Sequence, residues 1–133
     1  MLDIAADLPA HFWDVVYDGT STPLNTPDLA GRANCQVFAY AVLKHFGRVV
    51  PPLRSSELWT DPTGISAVAP LEPLDLLLFA PTTDPFGAHV AVSLGDDRAL
   101  HLAKQVGRPA IWTLAQFAAL PEYRVLLGGR RYL

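Results

Sequence analysis

Apolar positions along the chain follow two different periods. Between Asn34 and Gly47, Val37, Phe38, Ala41, Val42 and Phe46 recur at helical spacing. Asn34 is a preferred N-cap residue, Gly47 suits the position after a helix end, and Pro51 and Pro52 lie beyond, so the pattern predicts a helix between those limits. From residue 73 the period shortens. "PLDLLLFA" (73–80), "AHVAVSLG" (88–95), "RALHLAK" (98–104), "AIW" (110–112) and "YRVLLGGRRYL" (123–133) read as strands, and "TLAQFAAL" (113–120) as a helix between the last two. Ahead of the main helix, "PAHFWDVV" (9–16) predicts a short helix with Pro9 in its first turn, and 18–33 a long turn-rich connection. "RSSELW" predicts one more helical turn, capped by Ser55 or Ser56. Helices first and strands after, with hairpin-length connections, predict an α+β fold: N-terminal helices packed on one side of an antiparallel sheet of about five strands.

The stretch "AHVAVSLGDDRALHLAK" (88–104) carries register information. Val90, Val92 and Leu94 form one apolar set, and Leu100 and Leu102 the matching one. A two-residue loop at Asp96–Asp97 with regular pairing puts Val92 opposite His101 and mixes the faces. An odd loop or a bulge pairs Ala91 with His101 and keeps the apolar set together. The second register is the one predicted. It places His89 and His101 on one face of adjacent strands, a diagonal step of roughly 7–8 Å apart at the backbone. The other residues of that face, Ala91, Ser93, Ala99 and Ala103, are small and leave room for another element; the helix from Asn34 is the expected occupant.

Length and composition narrow the class. The 133 residues suit one domain, 1–133, and half of them are apolar against 17% charged, which excludes a disordered chain or a coiled coil. Net charge is −3 with Lys and Arg scattered, so no nucleic-acid partner is expected. The longest apolar run, "LLLFA", is strand-sized, so no membrane partner is expected either. The N-terminal "MLDIAADLPAHFW" lacks the basic and apolar regions of a secretion signal, and a single cysteine forms no internal disulfide. The expectation is a cytoplasmic protein, with secretion by another route left open. Oligomeric state is not legible.

That cysteine, Cys35, falls at the first helical position after Asn34. Unpaired backbone N–H groups and the positive end of the helix dipole converge there, which predicts a lowered thiol pKa. A cysteine nucleophile needs a base within hydrogen-bond reach, and the base needs a third group to orient it. His89 as base and His101 as orienter fill those roles, giving acyl transfer at an amide or ester through a thioester, with no cofactor and no metal. His45 lies ten residues along the helix from Cys35, roughly 15 Å on its axis, and is excluded as the base. His11 reads as structural or exposed.

The order of these segments resembles the NlpC-type cysteine peptidases of bacterial cell-wall turnover. The likeness runs over roughly residues 31–131: a cysteine-bearing helix start, "PLDLLLF", the hairpin "HVAVSLGDDRALH" and a closing "YRVLLGGRR" strand. The hairpin is its most specific part, since the family pattern has the same twelve-residue separation that divides His89 from His101. The resemblance implies a papain-like α+β fold and peptidase or amidase chemistry on a small peptide or amide, including peptidoglycan-type peptides. It also implies that residues beside the nucleophile hold the substrate, here Asn34 and Gln36, with Tyr17 or Trp13 for the family's upstream tyrosine. The chain differs in having Asn34 where the family has an acid, and Gln36-Val37 where it has Ser-Gly.

Other readings of the same residues stand beside this one. An acyltransferase or esterase on the same fold uses the same three groups, as does a catalytically inactive binding module. A zinc site from one cysteine and two histidines lacks any close-spaced ligand pair. Trp59 and Trp112 read as core or cleft wall, Asp96 and Asp97 as turn residues, and Arg130 and Arg131 as a solvated strand end.

Overall fold

The computed structural model describes residues 2–25, 29–67 and 69–133. A short helix α1 (Ile4–Asp7) opens the chain, its N-terminus capped by Asp3, which accepts the Ala6 N–H at 3.1 Å. A 3₁₀ helix (Ala10–Asp14) stands where a helix over 9–16 is expected, and the chain turns extended at Val15. Two two-residue strands, β1 (Val16–Tyr17) and β2 (Arg32–Ala33), pair in parallel and deliver the chain to α2 (Cys35–His45). α3 (Ser55–Thr60), β3 (Ile65–Ala67), β4 (Leu76–Ala80), β5 (His89–Gly95), β6 (Arg98–Leu102), β7 (Pro109–Thr113), α4 (Leu114–Ala118), a 3₁₀ turn (Pro121–Tyr123) and β8 (Val125–Arg131) follow.

The main sheet has six strands, not five, in the order β3-β8-β4-β5-β6-β7, and every described pairing in it is antiparallel. β3 is the strand the apolar pattern misses, because its three residues are too few to show alternation. Ser55 and Ser56 do not cap α3. Arg54 takes the cap position and its N–H donates to Glu57 Oε1 at 3.0 Å, while the Ser55 hydroxyl is used elsewhere. Arg130 is not solvated: it is 6% exposed, and its guanidinium donates to Ser66 Oγ and to the carbonyls of Asp61 and Gly64. Arg131 binds the fully buried Asp75 through two nitrogens, at 2.7 and 2.9 Å.

The β5–β6 hairpin meets both register expectations with one device. Val92 pairs with Leu100 and Ser93 with Ala99, but Gly95 pairs with Arg98. The shift is a bulge at Leu94, and the turn itself is the two residues Asp96 and Asp97, both at positive φ (52° and 57°) as a type I′ turn requires. Each face of the sheet then has its own core. Leu76, Leu78, Val90, Val92, Leu100 and Leu102 bury against Phe38, Val42 and Leu43 of α2. Leu77, Phe79, Ala91 and Ala99 bury against Phe117 of α4 and Tyr123. Among the described residues no helix is long and apolar enough to cross a membrane.

Candidate active site

Asn34 caps α2 as its position predicts. Its Oδ1 accepts the Val37 N–H at 2.8 Å, and its backbone carbonyl accepts that of Phe38 at 3.1 Å. Cys35 is the first helical residue, a free thiol that is partly exposed. The backbone N–H groups of Val90, Gln36 and Cys35 itself lie near enough to its sulfur to favour the thiolate. The Val90 contact follows from strand geometry. Ser93 exchanges its backbone groups with Asp75 and Leu74, so the odd positions of β5 hydrogen-bond toward β4 and the even positions toward β6. The β5–β6 ladder runs from the turn to Val92↔Leu100; Val90, two residues further, presents its N–H on that side, where it favours the Cys35 thiolate.

His89, next in the chain to Val90, begins β5, and His101 lies on β6. His89 Nε2 and His101 Nδ1 are 2.9 Å apart, and both rings are buried. The face they share is not the one α2 covers. The small residues Ala91 and Ala99 make room instead for Phe117, whose ring lies 4.6 Å from that of His101, while the ring of Tyr123 stacks on His89 at 4.6 Å and 27°. The helix packs on the opposite face because Val90, Val92, Leu100 and Leu102 point there, and a residue count along the strands does not say which helix covers which side. Only the N-terminal tip of α2, with the sulfur, reaches the strand end where the histidines stand.

Electrostatics at the site also depart from expectation. Burial pushes the Cys35 thiol above its ordinary value, and the three N–H groups that favour the thiolate only partly offset it. Burial, joined by the neighbouring His101, pushes His89 well below the ordinary imidazole range, and burial does the same to His101. The resting site is therefore a neutral thiol beside neutral imidazoles.

Of the three flanking residues named from the sequence, Tyr17 is the one that reaches the thiol from another element of the chain. β1–β2 pairing sets it opposite Ala33, its N–H donates to Gly107 O at 2.9 Å, and a charged Cys35 raises its hydroxyl pKa after the larger effect of burial. Gln36 is buried, and its Nε2 donates to Ser55 Oγ, which donates in turn to Ala88 O. This chain of bonds ties the start of α2 to the residue just before His89. Gln36 thus acts as a strut within the protein, and Asn34 as a cap. Trp112, expected as core or cleft wall, packs against the second core, with its ring 4.2 Å from that of His101. Tyr123 and Phe117 have no signal in the sequence beyond being aromatic. The Tyr123 hydroxyl donates to Gln105 Oε1 at 2.8 Å, and Gln105 Nε2 to Glu122 Oε1 at 3.0 Å. Among the described residues no group of three or more His, Cys, Asp or Glu side chains is placed to hold a metal ion.

No protein-family model matches the chain. No curated protein matches it. Solved structures do. An NlpC/P60 family protein from Bacillus cereus superposes with a TM-score of 0.57 at 22% identity, over 76% of this chain and 32% of that one. NlpC1 from Trichomonas vaginalis gives 0.65 at 13% identity, over 90% and 40%. The NlpC/p60 domain of the peptidoglycan hydrolase SagA gives 0.55 at 24% identity, over 87% and 91%. The chain thus spans about a third of the Bacillus protein and two-fifths of the Trichomonas one, but nearly the whole SagA domain. Helices on both faces of an antiparallel sheet agree with these superpositions: the chain has the papain-like α+β fold of the NlpC/P60 type.

Proposed function

We propose that the protein is a cysteine hydrolase, a peptidase or amidase that cleaves a small peptide or amide through a thioester on Cys35. The observation that carries this reading is the buried 2.9 Å bond between His89 and His101, with His89 next in the chain to Val90, whose N–H favours the Cys35 thiolate. The likeness to the SagA domain, from a peptidoglycan hydrolase, points to peptidoglycan-type peptides as the first substrates to try.

In this mechanism the thiol proton passes to His89 Nδ1 as the sulfur attacks the carbonyl carbon, since neither group is ionised at rest. The carbonyl oxygen becomes an oxyanion, stabilised by backbone N–H groups at the start of α2. His89 returns the proton to the leaving amine, the C–N bond breaks, and the thioester remains. Water, deprotonated by His89, then attacks the thioester, releasing the acid and restoring the thiol. The His101 side chain hydrogen-bonds His89 and acts as its orienter. Tyr17 flanks the sulfur as a substrate contact.

The test is a panel of stem peptides and simple acyl amides, followed by intact-protein mass spectrometry. The expected result is cleavage with a transient acyl mass on Cys35, both lost in Cys35→Ala. Cleavage that persists in Cys35→Ala, or a panel with neither cleavage nor acylation, overturns the proposal.

A further inference from the structure

The histidine pair leaves one nitrogen without a partner. His101 Nε2 is buried and has no hydrogen-bond partner among the described residues. The His101 ring is packed against two aromatic rings. The Trp112 ring lies 4.2 Å from the His101 ring, tilted by 66°, and the Phe117 ring 4.6 Å away, tilted by 57°. Strand register explains the arrangement: Ala99 pairs with Trp112 and His101 with Ala110, so Trp112 and His101 are diagonal neighbours on one face. Phe117 is completely buried against that face from α4.

Two neutral imidazoles 2.9 Å apart share one proton between the facing nitrogens, which leaves two arrangements. In the first, His89 Nε2–H donates to a bare His101 Nδ1; His101 then carries its proton on Nε2, and His89 Nδ1 is bare. In the second, His101 Nδ1–H donates to a bare His89 Nε2; His101 Nε2 is bare, and His89 Nδ1 is protonated. Only the first leaves His89 able to take a proton from a thiol. The aromatic surroundings separate the two. Ring faces carry negative charge density, which accepts an N–H and repels a lone pair. We infer that Trp112 and Phe117, by enclosing His101 Nε2, set the tautomer of both histidines and so leave His89 Nδ1 unprotonated. They are positioning residues, acting on His89 through His101. The catalytic meaning of this inference rests on the hydrolase reading, but the tautomer itself does not.

Long-range ¹H–¹⁵N correlation spectra of the ¹⁵N-labelled protein at neutral pH read each ring nitrogen as protonated or bare, and need no substrate. The expected pattern is Nε2 protonated and Nδ1 bare in both His89 and His101. A His101 protonated on Nδ1, or either ring doubly protonated, overturns the inference. The second measurement is acylation of Cys35 by p-nitrophenyl acetate, followed through released nitrophenolate. Trp112→Leu keeps apolar bulk but removes a ring face, so it is expected to show mixed tautomers and about two- to fivefold slower acylation, while Trp112→Phe keeps the wild-type pattern. A folded Trp112→Leu protein with unmixed tautomers and wild-type acylation overturns the inference. If wild-type protein shows the expected tautomers but no acylation, the hydrolase reading fails and the tautomer assignment stands. If Trp112→Leu does not fold, the wild-type spectrum decides.

Discussion

Ser55 joins the two halves of the proposed site, and removing its hydroxyl isolates that link. The hydroxyl accepts the Gln36 carboxamide N–H and donates to the Ala88 carbonyl. Ser55 is 1% exposed, Ala88 3% and Gln36 8%, so water does not readily replace the missing partner. Ser55→Ala leaves one buried donor and one buried acceptor unpaired. At about 1–3 kcal/mol for each, the loss of unfolding free energy comes to about 2–6 kcal/mol. For a chain of this length that lowers Tm by roughly 7–21 °C. Urea unfolding followed by tryptophan fluorescence measures the first quantity and calorimetry the second. Ser56→Ala, one residue along and only partly buried, is the control and is expected to stay within about 0.5 kcal/mol of wild type. Because the same bonds hold the tip of α2 against the residue before His89, acylation of Cys35 in folded Ser55→Ala protein is expected to slow by about tenfold or more. An unfolding free energy for Ser55→Ala no different from that of Ser56→Ala refutes the reasoning, since it means the bonds contribute nothing beyond what water supplies.

Further expectations follow from the site's electrostatics and its supporting ion pair. With the thiol raised by burial and His89 depressed, iodoacetamide at pH 7 is expected to alkylate Cys35 more slowly than free cysteine, with the rate rising into the alkaline range; a plateau extending below pH 7 indicates a preformed thiolate–imidazolium pair and contradicts the neutral resting site. Both histidines have folded-state pKa values below the unfolded value of about 6.5, so their contribution to stability is complete above that pH and is lost as pH falls below it, by up to about 1.4 kcal/mol per pH unit for each. His101→Asn is therefore expected to flatten the stability profile between pH 6 and 5, and unfolding curves that keep the wild-type slope count against burial as the cause. Asp75→Asn leaves the partly exposed Arg131 guanidinium with Glu72, 3.3 Å away, as its carboxylate partner and is expected to cost about 1.5–3 kcal/mol, read by urea unfolding, with a loss under about 0.5 kcal/mol showing the buried contact to be dispensable.

Much of this site was legible because parity in a strand is rigid. Keeping Val90, Val92, Leu100 and Leu102 on one face forces His89 and His101 onto the other, whatever device corrects the register, and the bulge at Leu94 is that device. Asn34 as a cap was legible for a similar reason, since few residues satisfy the N–H groups of a helix start. Strands of two or three residues, β1, β2 and β3, were not, because a period cannot be read from so few positions. Nor was the use of Gln36, whose partners Ser55 and Ala88 lie 19 and 52 residues away in the chain and meet it only through tertiary packing.

The two misjudged features of the site share one cause. Small residues beside the histidines indicate that something packs close, but α2 and α4 both offer apolar side chains, and a strand pattern does not distinguish them. Because α4 takes the histidine face, the pair is enclosed by Phe117, Trp112 and Tyr123 instead of facing the helix that carries the thiol. That enclosure is what depresses both imidazoles, just as close packing at the strand end raises the thiol over the pull of three N–H groups. A helix start alone argues for a thiolate; a helix start driven against a sheet argues for a thiol, because removing a full charge from water costs more than a few backbone dipoles return. In the proposed mechanism, a nucleophile held neutral in this way is ionised only as its proton moves to His89 during attack. The tautomer of His89 then matters more than in a site that rests as an ion pair, and the aromatic wall that encloses His101 becomes part of the proposed chemistry.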